Sequence, residues 1–204
     1  MQINLANIEL SFRANGPGHR AVIWVQGCTI NCPGCINAAF LNHEKRRMVT
    51  VDELSSAVFL MEIEGITFSG GEPFQQAKPL AELAKRCKGA GLSVISYSGY
   101  RRNFLENENR APSGAAALLQ QLDVLIDGPF MRRLASDTPF RGSANQTIHY
   151  LTDRYRPQDF EAVEAEVTIS PNKLTSTGFF HPGKESFLLQ ALGVLPPENG
   201  RSVT

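Results

Sequence analysis

Apolar and polar positions alternate along the chain between short continuous runs and helically spaced stretches. Residues 21–26 (AVIWVQ) are a continuous apolar run, the pattern of a strand buried on both faces. Thr50-Val-Asp-Glu53 has capping-box spacing, and Leu54, Val58 and Met61 follow on one face, so a helix is predicted there. Residues 65–68 read as a second strand ending in Ser69-Gly-Gly-Glu-Pro73. A helix over 78–89 places Leu80, Leu83, Ala84 and Cys87 on one side. A strand over 92–97 leads to Ser98, a helix begins at 113–119, a strand over 123–126 leads to Asp127-Gly128, and 147–151 reads as one more strand. Trp24 reads as core. No internal repeat or low-complexity segment interrupts this order.

Repeated strand–helix units predict parallel strands joined by right-handed crossovers. About four or five units are too few for a closed eight-unit barrel. The expected architecture is therefore α/β, a partial, open parallel β/α barrel with a C-terminal extension. Cys28, Gly70 to Glu72, Ser98 and Asp127 each fall just after a predicted strand. In such a sheet those carboxyl ends share one mouth, where ligands bind.

Composition narrows the function. The 204 residues carry 20 basic and 20 acidic side chains, with 42% hydrophobic and 20% charged residues, an ordinary globular balance. Zero net charge and the absence of Lys/Arg clusters argue against a nucleic-acid surface. No apolar run approaches membrane-spanning length, and the first residues lack the pattern of a secretory signal, so a cytoplasmic protein without a membrane partner is expected.

Cys28, Cys32 and Cys35 lie in Gly27-Cys-Thr-Ile-Asn-Cys-Pro-Gly-Cys35, and Cys87 stands far downstream. In a reducing compartment clustered thiols read as metal ligands or redox groups. A loop with Gly27, Pro33 and Gly34 can curl three thiolates around one soft centre, zinc or an iron–sulfur cluster. A closed zinc site needs a fourth ligand from Cys87, His43 or His19. Cys87 reads as core on the helix over 78–89 and His43 as a solvated loop residue, which favours a cluster with one iron left open.

The other motifs are weaker taken singly. Ser69-Gly-Gly-Glu-Pro73 alone is a glycine turn leaving a strand. Beside the cysteine loop it becomes a cradle whose backbone carbonyls accept from a ligand's ammonium group, with Glu72 either adding charge or solvated at a helix start. Asp127 is placed to bind a cation, a ligand hydroxyl or a lysine, or else is an Asp-Gly turn. Arg141, in Arg141-Gly-Ser-Ala-Asn-Gln146, either holds a carboxylate or lies in a surface loop.

C-x3-C-x2-C followed by a strand ending in Gly-Gly-Glu resembles the signature of the radical S-adenosylmethionine (SAM) superfamily. Within it the chain resembles the glycyl-radical-enzyme activases, in particular the group that activates anaerobic ribonucleoside-triphosphate reductase. Gly16-Pro-Gly-His-Arg20, the cysteine loop with Asn37, Tyr97-Ser-Gly-Tyr100, Leu125-Ile-Asp-Gly128 and the 141–146 motif occur in matching order. Gly34, where many radical SAM enzymes have an aromatic residue, fits the reductase-activating group. The resemblance implies a radical SAM partial barrel over 1–152 and one 4Fe–4S cluster on Cys28, Cys32 and Cys35. It also implies SAM chelated to the open iron, with Gly34 and Ile36 lining adenine and Gly70, Gly71 and Glu72 receiving the methionine ammonium. Ser98 and Asp127 are further SAM or cation contacts.

The implied reaction is reductive cleavage of SAM to a 5′-deoxyadenosyl radical, which takes hydrogen from a glycine of a partner, most readily anaerobic ribonucleotide reductase, with a flavodoxin-like electron donor. No catalytic residue beyond the cluster ligands is required. The alternatives are a radical SAM enzyme acting on another protein or peptide, and a non-catalytic metal-binding module. Residues 153–204 lie past the pattern; they contain a strand-like run over 163–169 and an amphipathic helix over 187–192, and read as a packing appendage, an edge cover or a docking surface.

Overall fold

The structure, a computed structural model, describes residues 1–136, 138–161, 166–170 and 173–178. The chain opens with β1 (Gln2–Ser11), which pairs antiparallel with β2 (Arg20–Val25). β3 (Arg47–Thr50) pairs on the other side of β1. Neither β1 nor β3 was expected from the apolar pattern. The register of β1 shifts between Leu5 and Asn7, so Ile3 and Leu5 are buried while Leu10 faces out. That shift breaks the period-2 signal of a half-buried strand.

The rest keeps to the predicted order. Helix α1 (Val51–Phe59) opens with the Thr50–Glu53 capping box and buries Leu54 and Val58, leaving Met61 just past its end and partly buried. β4 (Gly65–Gly70), α2 (Ala77–Gly89), β5 (Ser93–Ser98), the short helices α3 (Arg102–Leu105) and α4 (Ala115–Leu119), and β6 (Val124–Asp127) come next. β2, β4, β5 and β6 are parallel neighbours. β7 (Thr147–Tyr150) closes the row antiparallel to β6, so this last strand does not continue the parallel series. The result is one open seven-stranded sheet in the order β3-β1-β2-β4-β5-β6-β7, with a separate hairpin of β8 (Glu166–Ser170) and β9 (Lys173–Thr177).

Every residue of β2 is buried, as its unbroken apolar run requires, and Trp24 is among them. One face of the sheet packs on α1 and α2 through Ile23, Phe68, Leu80, Leu83 and Cys87. On a second core, Ile95, Val124 and Ile126 pack with Phe140 and Phe160.

The amino ends of β2, β4 and β5 are closed by one buried cation. Arg20 is fully buried, and its guanidinium donates to Thr67, to the carbonyls of Pro17 and Ile66, to Ser93 and to the Tyr155 hydroxyl. Downstream chain returns to this end. Glu166 of β8 accepts from the backbone amides of Phe12, Arg13 and Ala14, and the Asn15 amide donates to Thr177 of β9 at 2.6 Å. The helix expected over 187–192 lies outside the described residues.

Candidate active site

The carboxyl ends of β2 and β4 are joined backbone to backbone. Gly71 N–H donates to Val25 at 2.7 Å, and Glu72 N–H donates to the Gly27 carbonyl at 2.9 Å. A Cβ on Gly71 would stand 2.2 Å from that same oxygen, so only glycine permits the approach. Two motifs more than forty residues apart are thereby fused into one surface.

The cysteine loop starts from this joint. Gly27 and Cys28 donate to the carbonyls of Phe40 and Leu41, so the chain beyond the third cysteine returns to fasten the base of the loop. Cys28, Cys32 and Cys35 are partly buried free thiols. Burial pushes the Cys28 thiol up, against the backbone amides of Asn31 and Ile30 that point at its sulfur. Burial raises Cys35 in the same way, opposed by the Asn37 amide. Each of these thiols feels the charge of Cys32, yet no three His, Cys, Asp or Glu side chains among the described residues are gathered at metal-ligand distance. Charge coupling reaches further than ligation, so the loop holds three soft donors within electrostatic reach of one another without drawing them together.

The donor set suits an iron–sulfur cluster on two counts. Thiolates are its ordinary ligands, and amides aimed at sulfur are the hydrogen bonds that set its electronics. Of the candidate fourth ligands for zinc, Cys87 is fully buried on the inner face of α2, and the His19 ring stacks on Phe12 beyond the amino ends. His43 is exposed but rests on Gly27, where an added Cβ would lie 2.8 Å from its Nδ1.

Glu72 takes a role that its place in the sequence does not announce. It is 1% exposed, and its carboxylate caps the short turn Pro73–Gln76 by accepting from Phe74 at 2.9 Å. It also accepts from the Ser98 hydroxyl at 2.9 Å and from Gly99 N–H at 2.8 Å. Burial pushes its pKa up to about 7 in spite of these three donors. Its side chain is thus neither solvated nor turned to the mouth; it ties the end of β4 to the end of β5. Ser98 is engaged by the same carboxylate and accepts from Tyr100 N–H.

Asp127 lies at the carboxyl end of β6 but is 2% exposed. Its Oδ2 accepts from Arg102 N–H at 2.6 Å and lies 3.1 Å from His149 Nε2, without the alignment of a hydrogen bond. Its Oδ1 is buried without a hydrogen-bond partner, with Arg101 Nη1 at 3.7 Å. These groups line a cavity of about 470 Å³ with Thr147 and Glu106. Arg141 donates to the Gln146 carbonyl within its own loop, so the alternative of a loop brace describes it better than that of a carboxylate holder.

Two further residues were missed. Gln75 bridges the loops, accepting from Thr29 N–H and donating to Thr29 Oγ1 and the Tyr100 hydroxyl. Arg132, in the turn Arg132–Leu134, lays its guanidinium on Gly34. Neither position carries a periodicity or motif that would have marked it. Gly34 and Ile36 are exposed on the loop surface, Ile36 by 63%.

Known proteins bear on this arrangement. The family model described as a 4Fe-4S single cluster domain matches residues 14–149. The chain is similar to the anaerobic ribonucleoside-triphosphate reductase-activating protein of Enterobacteria phage T4, 31% identical over 146 residues, with 68% of this chain and 88% of that one covered. The protein of the same name from Escherichia coli K12 is 30% identical over 152 residues, covering 67% and 92%. Among solved structures, QueE from Escherichia coli aligns with a TM-score of 0.44 at 15% identity, over 60% of this chain and 68% of that one.

Proposed function

This chain belongs to the family of the anaerobic ribonucleoside-triphosphate reductase-activating proteins and carries a 4Fe-4S single cluster domain, and from that premise we propose that Cys28, Cys32 and Cys35 are the three protein ligands of one cluster. It is a radical SAM activating enzyme, and the partner on which it generates a glycyl radical is anaerobic ribonucleoside-triphosphate reductase. When bound, a 4Fe–4S cluster with one open iron supplies the electron that splits SAM into methionine and a 5′-deoxyadenosyl radical, the species that takes hydrogen from the partner's glycine.

The protein's part is position and exclusion. The Gly71–Gly27 contact carries this reading, because it sets the Gly-Gly-Glu strand end directly beside the cysteine loop. Backbone carbonyls at Gly70 and Gly71 receive the ammonium of methionine. Glu72 holds that backbone from behind, its carboxylate committed to Ser98, Gly99 and Phe74. Gly34 and Ile36 line the adenine, and Ser98 and Asp127, the latter with an Oδ1 that lacks a hydrogen-bond partner, are further SAM or cation contacts. The open sheet is read as a partial barrel whose mouth holds these groups. Residues 1–152 form the chemistry-bearing domain and 153–204 a C-terminal extension, of which Tyr155, Glu166 and Thr177 brace the opposite end. A flavodoxin-like protein delivers the electron. Among the described residues no helix is long and apolar enough to cross a membrane.

The test is 5′-deoxyadenosine release from SAM by the anaerobically reconstituted chain with a strong reductant, beside Cys32→Ala. Release by the intact chain alone, with a glycyl radical signal when the reductase is added, is expected. No release despite full iron and sulfide loading would overturn the reading and leave a structural metal module.

A further inference from the structure

Arg132 reaches Gly34, between Cys32 and Cys35, from a turn almost a hundred residues downstream. An added Cβ on Gly34 would lie 2.9 Å from Arg132 Nε and 3.3 Å from Cζ. Consecutive Cα atoms are about 3.8 Å apart, which places the guanidinium within about 8 Å of the Cys35 Cα. Gly34 has φ +76°, a conformation that costs glycine nothing, and lacks a side chain to hold the guanidinium off.

The contact is built rather than casual. The segment after β6 is braced by its own loop: Gln146 accepts from Gly142 and Ser143 N–H and donates to the Gly128 carbonyl, and Asn145 donates to the Pro129 carbonyl. Ser143 then accepts from Met131 N–H, and Ala144 N–H donates to the Leu134 carbonyl, so the turn bearing Arg132 is pinned at both ends. The motif at 141–146 thereby acquires a purpose. Among the described residues no carboxylate lies within ion-pair distance of Arg132.

We infer that Arg132 is the counter-cation of the cysteine loop and eases entry of the electron that starts the reaction. The inference rests on the cluster assignment above. Taking up one electron from the donor makes a cluster held by three thiolates one unit more negative. A positive charge within about a Debye length favours that form, and more so where protein displaces water.

The measurement is an anaerobic redox titration of the reconstituted protein, following the electron paramagnetic resonance signal of the reduced cluster in wild type, Arg132→Gln, Arg132→Lys and Arg133→Gln. Arg132→Gln is expected to make reduction about tenfold less favourable, a drop of about 59 mV for one electron. Arg132→Lys should recover most of this, and Arg133→Gln, the same charge change one residue away, should shift the equilibrium less than twofold. Raising the salt should shrink the difference between wild type and Arg132→Gln, because Arg132 is exposed. A wild-type protein that neither loads iron nor releases 5′-deoxyadenosine breaks the underlying reading instead. A normal wild type with an unshifted Arg132→Gln overturns the inference alone. Should Arg132→Gln fail to hold iron, Arg132→Ser is judged by the same criterion, and loss of iron in both would make Arg132 a clamp of the loop and equally overturn the inference.

Discussion

The two ends of the same parallel strands are closed in opposite ways. At the amino end of β2, β4 and β5 a single buried cation, Arg20, saturates its donors on carbonyls, hydroxyls and a tyrosine. At the carboxyl end the buried Glu72 ties strand ends together, but around it the thiols are only partly buried, and Oδ1 of the equally buried Asp127 and Nε2 of His149 lack hydrogen-bond partners. The filled donors of Arg20 mark the end that holds the fold, although His19 Nε2 next to it is also buried without a hydrogen-bond partner. Unspent donors and acceptors mark the end that meets a ligand, since a buried polar atom without a partner costs stability that only a ligand or water can return.

Breaking each end should therefore have different consequences. Arg20→Ala leaves the buried Thr67 and Ser93 hydroxyls and the Ile66 carbonyl facing a hole, and should cost about 3–5 kcal/mol, a large part of an ordinary domain's stability. Chemical denaturation checks it. Gly71→Ala should do the reverse. Parting β4 from Gly27 by more than an ångström should lower 5′-deoxyadenosine release a hundredfold or more, against a stability loss of about 1–3 kcal/mol for a methyl forced on fixed backbone. If Gly71→Ala instead unfolds the chain and Arg20→Ala only lowers activity, the contrast between the ends is wrong.

The mouth was more legible in the sequence than the amino end. Cys28, Gly70, Ser98 and Asp127 sit at strand ends because continuous apolar runs announce buried parallel strands, and the residue that closes each run is forced to the same side of the sheet. Arg20 gave no such signal. A lone arginine at the start of an apolar run reads as a solvated edge, and its partners Thr67, Ser93 and Tyr155 are brought together only by the register of three strands and a later turn. β1 was lost for a related reason, since its register shift at Leu5 scrambles the alternation. Glu72 and Arg132 show the same limit within the site: residue type was visible, direction was not. An acid after two glycines looked like a ligand contact or a solvated charge, and it is instead a cap pulled inward by Phe74, Ser98 and Gly99.

Glu72 sharpens the comparison through pH. Its pKa stands at about 7 in the folded chain against 4.5 for an ordinary glutamate, so folding takes up a proton between those values. The neutral form is the one that burial favours. Its contribution to stability is therefore greatest below about 4.5, declines as pH rises toward 7, and is flat above. The swing amounts to about 3–4 kcal/mol at about 1.4 kcal/mol per unit. Glu72→Gln should abolish this part of the pH dependence, so that the wild type's advantage over the variant at pH 5, measured by urea denaturation, is lost and reverses at pH 8. It should also cost about 1–2 kcal/mol at pH 5, because the new amide sets a donor against Gly99 N–H. An unchanged difference across that range would place the proton elsewhere.

The smallest effect separates the fourth cysteine from the other three. Cys87 lies fully buried on the inner face of α2 among Leu83, Ala84 and Leu80, and burial pushes its thiol up to about 12. A thiol so reluctant to ionise is a poor metal ligand and a good small hydrophobe. Cys87→Ala should therefore cost only about 1 kcal/mol, the loss of one sulfur's packing. Iron and sulfide per chain, and 5′-deoxyadenosine release, should stay at the wild-type level, whereas Cys28→Ala, Cys32→Ala and Cys35→Ala should each lose them. Loss of iron in Cys87→Ala would mean that the helix opens to complete a four-thiolate site, and the separation of a saturated core from an unspent mouth would fail at its most testable residue.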